Sequence, residues 1–148
     1  MKQRSVSLFI VLVVLAMGSS VAQAADAGGD GMEFPRNALN WFLNGDAERL
    51  WSHAGPTFRE MMQDVEGVRQ AGAEIGNSLG REVAVLDEQV IDHPDGEGWQ
   101  VYVRTVHLAG AGELFWVLIF SPSEREIGMI MPQSRPAIRT FFPEARLP

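Results

Sequence analysis

The sequence predicts an α+β fold in which N-terminal helices pack on a four-stranded antiparallel meander sheet. Three observations predict it. Apolar residues between Phe34 and Gly80 recur at helical spacing, the alternation shortens to two beyond Gly80, and short Gly- and Pro-rich turns separate the alternating segments. Helices first and strands second segregate the two element types, which places the helices on one face of the sheet.

The chain opens on a leader. Lys2 and Arg4 form a positive n-region, Val6 to Met17 is an apolar run, and Ala22-Gln23-Ala24 is a small-x-small cleavage site, so residues 1–24 read as a secretory signal peptide. The apolar run falls short of the roughly 20 residues of a spanning helix. Cleavage leaves no stable membrane anchor and predicts a periplasmic or secreted protein of about 120 residues, one domain's worth. Residues 25–33 hold few packing side chains and read as a flexible N-terminus.

The body follows as residues 34–132. Ala38, Leu39, Trp41 and Phe42 form the stripe of a first helix, and Gly45 stops it. Asp46 caps a short helix carrying Leu50 and Trp51, and Pro56 opens another turn with Phe58, Met61 and Met62. Asp64 caps a longer helix whose Val65, Val68, Ile75 and Leu79 share one side, with Gly80 as its C-terminal cap. The strands are Arg81 to His93, Trp99 to Leu108, Glu113 to Ser121 and Glu126 to Met131, with turns at 94–98, 109–112 and 122–125. Residues 133–148 contain Pro136, Pro143 and Pro148 without a period and read as an irregular tail.

The turns suggest a register. A four-residue loop at Ala109–Gly112 sets Thr105 opposite Trp116, Val103 opposite Leu118 and Val101 opposite Phe120; the next turn sets Leu118 opposite Met129. On that register Trp99, Val101, Val103, Leu114, Trp116, Leu118, Phe120, Ile127, Met129 and Met131 face the helices. The other face then holds Tyr102, Val106, Phe115, Val117, Ile119 and Ile130, too apolar to lie open to water. A second subunit or the tail, through Ile138, Phe141 and Phe142, is expected to cover it and to bury Val117 and Ile119.

Composition narrows the function. The chain carries 12 Lys+Arg against 19 Asp+Glu, net −7, and loses Lys2 and Arg4 with the leader, which argues against nucleic-acid binding by counterion release. With no cysteine, disulfides, thiol catalysis and thiolate metal sites are excluded, and Lys2 is the only lysine, so Schiff-base chemistry goes with the leader. Gly76-Asn77-Ser78-Leu79-Gly80 matches G-x-S-x-G, but a nucleophile elbow needs a strand before the serine and here a helix precedes it. His53, His93 and His107 are not at metal-ligand spacing; His93, before a turn, reads as solvated, and no metal or other cofactor is implied.

The Asn40-Trp41-Phe42-Leu43-Asn44-Gly45-Asp46 turn, Leu50-Trp51, Phe58-Arg59, Gly76 to Arg81 and the paired strands resemble the nuclear transport factor 2-like (cone-shaped α+β) superfamily, especially small exported bacterial members. The resemblance covers about residues 34–132. It implies a cone between helices and sheet that holds a small apolar ligand, and a homodimer through the outer sheet face. Superfamily enzymes of the ketosteroid isomerase kind use a tyrosine near the first helix and a carboxylate in the cone. Here the only tyrosine, Tyr102, lies on a strand and faces outward in the register above.

Candidate chemistry centres on Glu88 and His107. An inward Glu88 beside Val103, together with Thr105 and His107, makes a small polar group in an apolar pocket, where a carboxyl acts as general acid or base. Val83, Val85 and Ile91 facing inward instead would leave Glu88 solvated. The expected ligand-binding wall is Trp41, Trp99, Val103, Thr105, Trp116 and Met129. The leading expectation is a non-enzymatic module that binds a small apolar ligand or a protein partner. The alternative is an acid/base enzyme, of an isomerase or dehydratase kind, acting on a small apolar substrate.

Overall fold

The computed structural model describes residues 29–148. The leader, residues 1–24, and residues 25–28 lie outside the described residues. Of the N-terminal segment expected to be flexible, Gly29–Met32 form a 3-10 turn and Glu33 already opens the first helix.

Four helices precede the sheet: α1 (Glu33–Asn44), α2 (Ala47–Ser52), α3 (Pro56–Met62) and α4 (Val65–Leu79). Their ends follow from sequence chemistry. Gly45 closes α1 in the left-handed conformation at φ 77°, Pro56 opens α3, and the Asp64 side chain accepts the Gly67 N–H at 2.8 Å to cap α4. Gly72 lies between Val68 and Ile75 on the buried stripe of α4. A Cβ there would come within 2.6 Å of the Phe42 carbonyl oxygen, so the glycine lets α4 close on α1.

The sheet is an antiparallel meander of β1 (Glu82–Asp92), β2 (Gln100–Leu108), β3 (Gly112–Ser121) and β4 (Glu126–Gln133), paired in sequence order. The α+β class and the helices-then-meander order therefore hold. The β4 edge is partly covered by a parallel bridge from Ala54 to Ile127. The β1 edge carries exposed Val83, Val85 and Leu86 and two register irregularities, the kind that blunt edge-to-edge pairing.

The register differs from the expected one by a single residue between β2 and β3. Leu108 pairs with Gly112, so Arg104 lies opposite Trp116 and Val103 opposite Val117. The loop is three residues long because Gly110 and Gly112, both at positive φ, turn the chain tightly. One residue reverses a strand's faces. Leu114, Trp116, Leu118 and Phe120 of β3 face the helices as expected. On β2, Tyr102, Val106 and Leu108 join them, whereas Val101 and Val103 lie on the opposite face. A second shift occurs in β4. Ile127 pairs with Phe120 as expected, but Met129 pairs with Ile119, so Ile130 turns inward while Met129 and Met131 turn outward. Gly128 is the extra residue, and a Cβ on it would meet the Trp99 ring at 2.9 Å.

The outer face is covered by the chain's own tail. Residues 135–141 form a fifth helix, α5 (Arg135–Phe141), whose first turn accommodates Pro136 and whose N-cap is Ser134. Ile138 and Phe142 pack on Val101, Val103, Phe115 and Val117; Val117 is fully buried and Ile119 half-buried. Two anchors hold this cover. The buried Gln89 amide exchanges two 2.8 Å hydrogen bonds with the Arg146 backbone, and Arg135 makes a two-pronged pair with Glu113 at 2.9 and 2.7 Å. His93, expected to be solvated, is half-buried with its ring beside Phe142.

Candidate functional site

The inner face carries a stripe of polar side chains as well as the core. On α1, Arg36, Asn40 and Asn44 stand four residues apart and therefore share one side of the helix. They face Glu88 and Glu82 on β1 and Tyr102 and Arg104 on β2, forming two ionic groups side by side.

In the first group Arg36 Nε and Nη2 each donate at 2.9 Å to the two oxygens of Glu88, and the Tyr102 hydroxyl donates to Glu88 Oε1. The Arg36 fork and the tyrosine bond hold the Glu88 carboxyl below the usual carboxylate range, outweighing its partial burial. Burial, reinforced by Glu88, pushes the fully buried Tyr102 phenol up, so it remains a donor. A carboxylate held ionised and saturated with donors is a weak base. Glu88 takes the inward one of the two orientations left open by the sequence, but in other company: Gln89, not Glu88, is the cross-strand partner of Val103, and Glu88 lies opposite Arg104.

In the second group Arg104 Nη2 donates to Glu82 Oε2 at 2.6 Å and Nη1 donates to Asn40 Oδ1 at 3.3 Å. Three buried polar atoms here have no hydrogen-bond partner among the described residues: Glu82 Oε1, Arg104 Nε and Trp116 Nε1. Beside them, between the C-terminal ends of α1 and α4 and the sheet, lies a cavity of about 340 Å³. Leu43, Leu79 and Leu108 supply its apolar wall; Asn40, Asn44 and Glu82 its polar one; Trp116 closes its floor, its ring edge-on to Phe42 at 6.4 Å.

The expected site residues scatter. His107 is exposed on the outer side of β2 and Glu88 is inward on β1, so they form no acid/base pair. Thr105 is buried on the outer side, its hydroxyl unpartnered among the described residues. Val103 and Met129 also lie on the outer side, for the register reasons above. Trp41 stacks on His53 with ring centres 5.4 Å apart, and Trp99 packs on Gly128; neither lines the cavity. Of the expected wall only Trp116 does. The space beneath the helices is filled by Phe34, Leu39, Phe42, Phe58 and Phe120, which leaves the cavity at one corner of the layer and not along its length. G-x-S-x-G is the end of α4, with Ser78 exposed.

Asn40, Asn44, Glu82 and Arg104 were not among the expected site residues. The signal for the two asparagines was the four-residue spacing of polar side chains on a helix that otherwise has to be buried; Glu82 and Arg104 stand on strands and had no such signal. Among the described residues no cluster of His, Asp and Glu could hold a metal ion, and no helix is long and apolar enough to cross a membrane. Comparison with protein-family models, curated proteins and solved structures finds no match.

Proposed function

We propose that this chain is an exported, non-enzymatic module of the cone-like kind that binds a small molecule in the corner cavity between α1, α4 and the sheet. The observation that carries the reading is the cavity itself, with leucines on one wall and Asn40, Asn44 and Glu82 on the other, beside the Arg104–Glu82 pair. A volume of about 340 Å³ is at the small end of ligand pockets, and its wall mixes leucines with a few placed polar groups, as such pockets do. The leader supports export. The commitment of Glu88 to Arg36 and Tyr102, away from His107, favours binding over acid/base chemistry.

Native mass spectrometry of the full chain expressed in a host with a periplasm and purified from the envelope tests both parts. The expected species begins at Ala25 and carries a small-molecule adduct that Leu79→Trp, which fills the cavity, removes. An uncleaved cytoplasmic chain overturns the export reading. A bare wild-type chain, or an adduct indifferent to Leu79→Trp, overturns the binding reading.

A further inference from the structure

We infer that Gly76 sets the size of the molecule that the corner cavity takes, and that this molecule has a compact apolar body bulkier than a single benzene ring. This rests on the cavity being a ligand site, and it follows from the glycines of α4 and its end. A Cβ on Gly67 would collide with the Met62 carbonyl oxygen, and one on Gly72 would come within 2.6 Å of the Phe42 carbonyl oxygen. Gly80 ends the helix at φ 82°, where glycine is favoured. Gly76 has no such reason. It lies inside α4, and a Cβ there would meet nothing within 4 Å. Glycine in a helix interior is less favourable than alanine, because it gives up more backbone freedom on folding.

The place of Gly76 supplies the reason. It shares one side of α4 with Gly72, four residues before it, and Leu79, three after. Gly72 packs against α1 at Phe42; one turn on, Gly76 lines the cavity together with Leu43 and Leu79. Gly76 is itself exposed, so it stands at the mouth. An alanine there would favour the helix, and a leucine would add apolar bulk to the wall, the kind of filling that stabilises a fold. The chain leaves both gains unused, which keeps the volume open. An apolar cavity of about 150 Å³ holds benzene. About 340 Å³ is more than twice that, room for a body of two fused rings or equal bulk against the leucine wall. A side chain at residue 76 narrows the mouth and takes up that room.

Benzyl alcohol and naphthylmethanol carry the same head on one ring and on two. Each is titrated into wild type, Gly76→Ala and Gly76→Leu purified from the envelope. Binding is read from the indole N–H of Trp116, on the cavity floor, in a proton–nitrogen correlation spectrum assigned with Trp116→Phe. Wild type is expected to bind naphthylmethanol at least ten-fold tighter than benzyl alcohol. Gly76→Ala should melt higher than wild type and Gly76→Leu no lower, yet Gly76→Leu should weaken naphthylmethanol at least ten-fold. Three results overturn the role of Gly76 and leave the ligand-site reading standing: Gly76→Leu binding both probes as wild type does, wild type preferring benzyl alcohol, or Gly76→Ala melting lower than wild type. If neither probe moves the Trp116 signal of wild type, both fall.

Discussion

The two faces of the sheet are covered in opposite ways. The outer face takes one seven-residue helix and a tail, packs Ile138 and Phe142 into a small apolar cluster, and makes its polar bonds at the margin. The inner face takes four helices, carries two ionic groups of which the Arg104–Glu82 pair is the more enclosed, and still leaves a cavity at one corner. The difference teaches where function is to be sought. A face sealed by the chain's own tail has its polar groups satisfied except for the Thr105 hydroxyl. The inner face repeats the contrast within itself: the Glu88 group has every buried polar atom engaged, while Glu82, Arg104 and Trp116 each leave one unengaged, and two of these residues, Glu82 and Trp116, line the cavity. A satisfied network is a fastening; a partly satisfied one calls for an explanation, and the cavity beside it is where binding is proposed.

The largest effect should come from unsealing the outer face. Truncation after Gln133 uncovers Val101, Val103, Phe115 and Val117, and at about 1.5–3 kcal/mol per large apolar side chain the loss exceeds about 5 kcal/mol. Urea unfolding and size-exclusion chromatography should show a destabilised or associating chain. A monomer with an unchanged midpoint would erase the contrast between the faces.

Next come the two ion pairs. Arg104 is 11% exposed and its removal strands the Glu82 carboxylate, so Arg104→Met should cost about 3 kcal/mol. Arg36 is 41% exposed and Glu88 keeps the Tyr102 bond, so Arg36→Met should cost about 1 kcal/mol. Chemical denaturation ranks the two, and a reversed order would mean that the enclosed pair is the Glu88 one. Tyr102→Phe removes a hydrogen bond to a charged group and should fall between them at about 2 kcal/mol by the same assay.

The smallest effect is a pH dependence of the outer cover. Burial lowers the His93 pKa from the ordinary 6.5, with Asp95 opposing. The unfolded chain then binds a proton more readily than the native one, so the contribution of this group is fully present above about pH 6.5 and is lost as pH falls toward the depressed native value. Melting temperature should drop between pH 7.5 and 5.5, and His93→Gln should flatten that part of the profile. An undiminished drop in the variant would place the dependence elsewhere.

The elements were legible in the sequence because their ends are local chemistry. Gly45, Pro56, Asp64 and Gly80 each stand where a helix begins or ends, and all four strands fall within two residues of their expected limits. The faces of β2 were not legible, because Val101 and Val103 on one side and Tyr102, Val106 and Leu108 on the other are equally apolar. When both faces are buried, alternation carries no sign, and one residue of loop length decides it. The bulge at Gly128 hid the second reversal, since nothing local to β4 announces that Trp99 needs the space. α5 was hidden by its proline, which reads as a breaker but is harmless in a first turn. The site was lost with the register: once Arg104 and Tyr102 are turned outward, the polar stripe of α1 has nothing to meet.

The contrast between the two carboxylates is tested most directly by native mass spectrometry of Glu82→Gln and Glu88→Gln purified from the envelope, each first confirmed folded by circular dichroism. Glu82 lines the cavity and Glu88 only fastens α1 to the sheet. The small-molecule adduct is expected to fall at least ten-fold in Glu82→Gln and to change less than two-fold in Glu88→Gln. Equal losses, or a loss in Glu88→Gln alone, would contradict it.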